Sequence, residues 1–256
     1  MKLKEVQEVG SRGVLFTFEF GDSVYLINTS DKLFLCDTSE GHEEMEVVKS
    51  YIRQNNLENK LLYVFNSHSD WDHYFGNGCF TQNEIIGHIL CRRRMKERID
   101  FDLYRYNKNY HIKLPTITFS DRLVFPDSDI EFIFTPGHTL CSSICIDHND
   151  QVMYVGDLLE TPIPIINDTN IEKYIESLEF IKSLKPKTII TTHSQIVSND
   201  LIDEHLNYLH DFIKGKYLTF SNEYAPLRHS FNMKNYLLLK LEENIKIILN
   251  EKFNYK

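Results

Sequence analysis

Three short runs rich in β-branched, aromatic and other apolar residues open the chain: Gly13–Phe20, Ser23–Asn28 and Leu33–Cys36. Gly21-Asp22 and Thr29-Ser30-Asp31-Lys32 separate them, and apolar runs broken by such turn residues predict an antiparallel meander. From Gly41 to Gln54 the pattern changes to helical spacing, with Met45, Val48 and Ile52 on one stripe, and Leu61–Phe65 then reads as a buried strand. The polar segment Asn66–Asp72 ends that strand, and a helix is expected to start within it and stop near Gly76-Asn77-Gly78. Next come a short strand at Ile85-Ile86, a basic helix from about His88 to Arg98, and a tyrosine-rich irregular stretch from Phe101 to His111. Strands resume at Thr116–Phe119, Leu123–Phe125, Ile130–Thr135, Ser143–Ile146 and Val152–Val155. Two amphipathic helices, about Ile171–Leu184 and Leu201–Ile213, flank the buried strand Thr188–Thr192. The β-rich and helical segments alternate twice, which predicts an α/β protein made of two similar halves. After Gly215 the pattern is ambiguous between a short strand near Tyr236–Leu239 and a final helix near Glu242–Asn250.

No Pro/Gly/Ser linker or low-complexity tract divides the 256 residues, so one domain over 1–256 is expected, with a core at about 12–213 and an extension at about 214–256. A chain of this length buries roughly 70–75% of its unfolded surface, so folding needs no disulfide or metal staple and a metal site would serve function. The 28 basic and 37 acidic side chains leave a formal charge of −9, which argues against a nucleic-acid partner because counterion displacement from phosphates needs a basic surface. The five cysteines, Cys36, Cys79, Cys91, Cys141 and Cys145, are odd in number and mostly in apolar company, and read as reduced thiols. Cys141 and Cys145 lack the second pair that a zinc ribbon requires. Neither a signal-peptide-like start nor a run of 18 apolar residues occurs, so a soluble cytoplasmic protein without a membrane partner is the expectation.

The chemistry concentrates at strand ends. His68-Ser69-Asp70-Trp71-Asp72-His73 directly follows the Leu61–Phe65 run, and four metal-capable side chains in six residues can converge where the backbone turns at a sheet edge. Alone, the hexapeptide also fits a solvated acidic turn. Three further segments share its grammar of apolar strand followed by a ligand-type residue: Phe132–Thr135 before Pro136-Gly137-His138, Val152–Val155 before Gly156-Asp157, and Thr188–Thr192 before His193. In two of them a glycine precedes the ligand type, allowing close backbone approach.

The series His68-x-Asp70-x-Asp72-His73, Gly137-His138-Thr139, Gly156-Asp157 and Thr192-His193 resembles the metallo-β-lactamase fold superfamily over about residues 12–213. The resemblance implies a four-layer αββα sandwich of two mixed β-sheets flanked by helices, with a mononuclear or binuclear metal centre at one shared edge. It implies one metal between His68, Asp70 and His138, a second between Asp72, His73 and His193, and Asp157 bridging both. The superfamily's common motif is HxHxDH, and Asp70 here replaces its second histidine. A carboxylate in place of a neutral imidazole adds charge and hardness, so two divalent ions are expected, zinc first, with the Asp70 site shifted toward iron or manganese.

Two functions from different classes follow. The first is a metal-dependent hydrolase of a small-molecule ester, thioester, lactone or phosphoester, with a metal-bound hydroxide as nucleophile and Asp72 or Asp157 to orient it or receive its proton. The second is a non-haem di-iron protein that binds, senses or reduces oxygen. Asp70 supports it through its similarity to the metal domain of flavo-diiron proteins, although this chain has no room for their flavodoxin domain. The basic run Arg92–Arg98 reads first as a solvated helix face paired with nearby carboxylates, and second as an anion-binding face. His88 reads as a helix-start hydrogen-bonding residue; for Tyr104, Tyr106, Tyr110 and His111, packing and a pocket wall both remain open. Leu158–Pro164 is expected to wall the cleft, and Trp71 to pack beneath the metal loop.

Overall fold

The computed structural model describes residues 2–19, 21–216 and 218–253; Phe20, at the end of the first apolar run, and parts of the predicted extension lie outside the described residues. One sheet contains, in spatial order, β1 (Leu3–Val9), β2 (Gly13–Phe18), β3 (Ser23–Asn28), β4 (Lys32–Cys36), β5 (Leu61–Asn66), β6 (Glu84–His88) and β7 (Ile117–Phe119). The pairs from β1 to β4 are antiparallel, as expected of the meander, and those from β4 to β7 are parallel. Parallel neighbours require crossovers, and α1 (His42–Gln54), α2 (Trp71–Tyr74) with a following 3-10 turn, and α3 (Ile89–Arg105) supply them. The other sheet contains β8 (Arg122–Phe125), β9 (Ile130–Phe134), β10 (Ser143–Asp147), β11 (Val152–Tyr154), β12 (Thr188–Thr191) and β13 (Gln195–Val197), in the order β13-β12-β11-β10-β9-β8. Its parallel pair, β11 with β12, is bridged by α4 (Ile171–Ser183), and α5 (Asp200–Ile213) packs beside α4.

Both faces of the inner strands of each sheet are covered, which is why those strands read as continuous apolar runs instead of alternating ones. In β2, Leu15 faces the core between the sheets with Phe65, Phe132 and Tyr154. Its neighbours Val14 and Phe16 face outward against Met45, Val48 and Ile52 of α1. Across the molecule Ile144, Met153 and Ile189 meet Tyr174 and Leu178 of α4 and Leu206 and Leu209 of α5. These layers, helix, sheet, sheet and helix, form the αββα sandwich of two mixed sheets.

Several predicted elements differ. α3 continues past Arg98 to Arg105, so Phe101–Arg105 is helical and not irregular. Its last turn is tied down by buried Asp102, which accepts from Tyr74 Oη at 3.0 Å and from Arg98 Nη2 at 3.4 Å. The tail forms one helix, α6 (Ala225–Phe253), and no strand forms near Tyr236–Leu239. Leu237 and Leu238 of that run and Leu241 beyond it are exposed, whereas Asn232 is buried and Ala225 and Tyr236 pack against the core, so polar contacts together with these two side chains hold the helix to the body. β1 escaped prediction because only Val9 of its seven residues is buried, and β13 because it is three residues long. No described helix is long and apolar enough to cross a membrane.

Candidate metal centre

The loop after β5 is anchored through the His73 carbonyl to the loop after β4 and to the end of β5. The carbonyl of His73 accepts from Thr38 N at 3.0 Å and from Asn66 Nδ2 at 3.1 Å, fixing the turn that starts α2. Asp70 occupies the position before α2 but makes no side-chain cap bond, leaving its carboxylate to face the cleft. The remaining strands deliver their residues as the spacing predicted: His138 after β9, Asp157 after β11 and His193 after β12. Gly156 has φ +57°, and a Cβ there would lie 2.7 Å from Ser67 Oγ; a Cβ on Gly137 would lie 2.4 Å from the Tyr174 ring. Only glycine lets these two backbones approach so closely.

All seven side chains, His68, Asp70, Asp72, His73, His138, Asp157 and His193, come together. Asp157 Oδ2 lies 3.3 Å from the Nε2 atoms of His73 and His193, 3.7 Å from that of His138 and 3.8 Å from that of His68. On one side Asp70 Oδ2 is 3.6 Å from His68 Nε2 and 3.4 Å from His138 Nε2. On the other, Asp72 is 3.8 Å from His73 Nε2 and 3.4 Å from His193 Nε2. Donors on a tetrahedral ion with bonds of about 2.0–2.1 Å lie about 3.3–3.4 Å apart, so this spacing suits ion ligation.

The imidazoles are also oriented for ligation. His73 Nδ1 donates to Asp37 Oδ2 at 2.8 Å, His193 Nδ1 to Asp22 Oδ1 at 3.0 Å and His138 Nδ1 to the Ile165 carbonyl at 3.2 Å. Ser67 Oγ donates to Asp37 Oδ2 at 2.6 Å, so its lone pair is left to accept from His68 Nδ1 at 3.0 Å. With a cation bound, each ring would keep its proton on Nδ1 and turn the Nε2 lone pair inward, the arrangement that second-sphere acceptors impose on metal-binding histidines. The buried Nε2 atoms of His68 and His73 and Oδ1 of Asp157 have no hydrogen-bond partner among the described residues. Such groups are costly when buried, and a cation satisfies them.

The charges favour a cation too. Burial alone would lower the pKa of His138, but Asp70 and Asp157 raise it to about 9. Burial likewise opposes, and Asp157 and Asp72 outweigh, so that His73 and His193 stand well above the usual imidazole range. Despite burial, neighbouring imidazoles hold Asp70 and Asp157 well below the usual carboxylate range. The field at the cluster is thus strongly attractive to positive charge.

The cluster floors a cleft of about 430 Å³. Residues outside the seven predicted ligands complete it. Asp37, fully buried after β4, takes bonds from His73, from Ser67 and from Tyr154 Oη at 2.8 Å. Glu160 lies with His138 and Asp157 in a further cation-capable group, and its carboxyl is pushed up to about 7, chiefly by burial and by Asp157. Asn167 Nδ2 approaches Asp70 Oδ2 at 3.5 Å and is held by Asn235 of α6, whose Nδ2 donates to Asn167 Oδ1 at 2.9 Å. Asp37 and Asn167 stand in no distinctive spacing, so no sequence signal marked them, whereas Glu160 belongs to the Leu158–Pro164 segment expected to wall the cleft.

The other candidates divide. Trp71 stacks on Tyr106 at 3.9 Å, and both line the cleft, whereas Tyr104 is 86% exposed on the far side of α3 and Tyr110 stacks on His42. His88 makes the helix-start bond, accepting from Leu90 N at 3.3 Å and donating Nε2–H to the Ser120 carbonyl at 3.0 Å. In Leu158–Pro164, Glu160 lines the cleft, while Leu158, Leu159 and Ile163 pack into the core. The basic run is split. Arg93 pairs with Glu97 as expected of a solvated face, but Arg94, Arg98 and Arg105 line the cleft. The described cation-capable groups contain no cysteine.

Residues 18–193 match the sequence profile of the metallo-beta-lactamase superfamily, a stretch that ends on His193 and contains the whole cluster. The chain belongs to this superfamily. It is 30% identical over 170 residues to a protein of Methanocaldococcus jannaschii named “Probable metallo-hydrolase”, the match covering 64% of this chain and 71% of that one. Among solved structures it resembles the metallo-beta-lactamase from Pontibacter korlensis, with a TM-score of 0.64 and 17% identity over 82% of this chain and 100% of the other. The metallo-beta-lactamase from Hirschia baltica aligns with a TM-score of 0.65 at 10% identity, over 82% and 98% of the two chains. At those identities the likeness establishes the fold.

Proposed function

We propose that this protein is a binuclear metallohydrolase acting on an ester, thioester, lactone or phosphoester of a small molecule. The observation that carries the reading is the position of Asp157 Oδ2 within 3.8 Å of all four inward Nε2 atoms, between Asp70 on one side and Asp72 on the other. That arrangement supports two half-sites, His68/Asp70/His138 and Asp72/His73/His193, sharing one carboxylate. Divalent ions held there supply Lewis acidity and lower the pKa of water. The chain's own residues orient the reaction. Asp157 is enclosed by imidazoles that keep it a carboxylate, so it would hold the shared edge of the two half-sites, and its second oxygen, Oδ1, which has no hydrogen-bond partner among the described residues, can orient the nucleophile there. Asp72 keeps 17% of its side chain open to the cleft and can hold a substrate proton or water there. The relative named “Probable metallo-hydrolase” supports hydrolysis in particular.

Zinc is the first expectation for the ions, with the harder Asp70 oxygen favouring iron or manganese in the half-site it serves. Asp70 also sustains a second reading, a di-iron centre reacting with oxygen. Although shorter than glutamate, its side chain reaches within 3.6 Å of both imidazoles of its half-site. Elemental analysis of protein purified without added metal or chelator separates the two. Colourless protein with zinc and chelator-sensitive hydrolysis of a p-nitrophenyl ester supports the hydrolase. Iron, with visible absorption that responds to oxygen and no hydrolysis, supports the second reading. Purified protein that retains no divalent ion at the cluster overturns both.

A further inference from the structure

The basic run on α3 was expected to be a solvated face, yet its charges do not share one environment. Positions 94, 98 and 105 are separated by four and seven residues, spacings that bring side chains onto one stripe of a helix. This stripe faces the cleft that contains Asp70, Asp72 and Asp157. Arg92 instead donates to the Pro115 carbonyl, and Arg93 pairs with Glu97 at 3.1 Å. Fold geometry has therefore sorted one run into satisfied arginines and cleft-facing ones.

The cleft-facing arginines are under-neutralised. Arg98 is paired with buried Asp102 at 3.4 Å. Arg94 reaches only a hydroxyl, its Nε donating to Ser69 Oγ at 3.2 Å. Arg105 lies over the Tyr106 ring at 5.5 Å. Among the described residues, neither Arg94 nor Arg105 has a carboxylate within ion-pair distance. Tyr106 in turn stacks on Trp71, which lies between Asp70 and Asp72 in the chain, so the wall and the His/Asp cluster are parts of one surface. On a chain with formal charge −9, this is a local concentration of positive charge where it meets the substrate cleft.

We propose that Arg94, Arg98 and Arg105 form a phosphate-binding wall of the cleft, which takes a phosphate group on the non-reacting part of the substrate while the bond to be cleaved lies over the His/Asp cluster. Planar guanidinium forks match phosphate and carboxylate oxygens alike, and charge decides between them. Two of the three guanidinium charges are left unpaired, and a phosphate monoester carries about −1.5 to −2 near pH 7, against a single charge on a carboxylate. The aromatic pair offers an apolar face beside the anion, so the substrate joins a phosphate to a flat or apolar body. The assignment of a substrate class rests on the hydrolase reading; the phosphate site stands on the arginines alone.

The test uses the full-length, metal-loaded protein and inorganic phosphate. Binding is followed by calorimetry and by the emission of Trp71, the single tryptophan of the chain. The Arg94→Gln/Arg105→Gln variant is expected to bind phosphate at least about tenfold more weakly than wild type, because it loses two charge-assisted contacts. Arg105→Lys should recover part of that loss, and Arg93→Gln should bind like wild type. Elemental analysis of every variant verifies that metal content is unchanged. Arg105→Gln alone, at an exposed position, gives a second reading of the same loss should the double variant fold poorly. Undiminished phosphate binding in the arginine variants overturns the wall. Acetate binding through these arginines as tightly as phosphate overturns the phosphate assignment. In parallel, chelator-sensitive hydrolysis of uncharged p-nitrophenyl acetate by the wild type reports on the hydrolase reading alone. Its absence beside arginine-dependent phosphate binding rejects that reading and keeps the site.

Discussion

At the residue scale, the centre depends on backbone positions as much as on ligand types. Gly156 immediately precedes Asp157, has φ +57° and leaves only 2.7 Å between a would-be Cβ and Ser67 Oγ, the atom that orients His68. Gly215 has nearly the same backbone, φ +61°, with nothing within 4 Å of a Cβ. The pair separates strain from displacement. Gly215→Ala is expected to cost about 1 kcal/mol, the left-handed penalty by itself. Gly156→Ala should cost more and also reduce bound metal, because Ser67 must move. Urea melts and elemental analysis of both variants measure the difference; equal losses with unchanged metal would show that the close approach does not matter.

At the element scale, α6 holds a wall of the cleft. Arg228 Nη1 donates to the Thr161 carbonyl at 2.9 Å and the Ile163 carbonyl at 3.0 Å. Asn232 Nδ2 donates to the Pro164 carbonyl at 2.8 Å and its Oδ1 accepts from Ile166 N at 3.1 Å. The same loop supplies the Ile165 carbonyl that orients His138. Asn232 is fully buried, so Asn232→Ala leaves loop groups unpaired and should destabilise by at least about 2 kcal/mol. Since the loop lines the cleft, KM for a p-nitrophenyl ester should rise more than kcat falls. A variant with wild-type stability and KM would show that α6 is only appended. The tail read ambiguously because residues that tie it down, Arg228, Asn232 and Asn235, are polar, while the conspicuous apolar run is split, Leu237 and Leu238 facing solvent and Leu239 lining the cleft.

At the scale of the whole molecule, the folded chain brings Asp70, Asp72 and Asp157 together against an overall charge of −9. Chelation should therefore lower the melting temperature, and the loss should depend on pH with a definite sign. In the chelated protein, His138 is held at about 9, above its unfolded value of about 6.5. A raised histidine pKa contributes stability that is fully present below about pH 6.5 and is lost as pH rises through about 9. His73 and His193 act in the same direction. Thermal melts with chelator should show stability declining across that window, while metal-loaded protein stays comparatively level because the ions replace those protons. Parallel pH profiles with and without metal would contradict a cation at this cluster.

The sequence by itself determined the order of the strands in the meander, the α/β class and the seven strand-end positions, because apolar runs and ligand-type residues after them are local patterns. It could not place Asp37, Asp22 or Asn167, which are ordinary polar residues until the sheets bring them against the imidazoles. It could not sort the basic run either: Arg93 pairs with Glu97 within its own helix, but only the packing of α3 against the sheets turns its neighbour Arg94 into the cleft. Local periodicity sets which side chains share a face, but contacts between residues distant in sequence arise only when packing of the apolar faces brings the two sheet edges together. Tertiary structure therefore decided the tautomers of the four histidines, the cleft walls and the charge presented to a substrate.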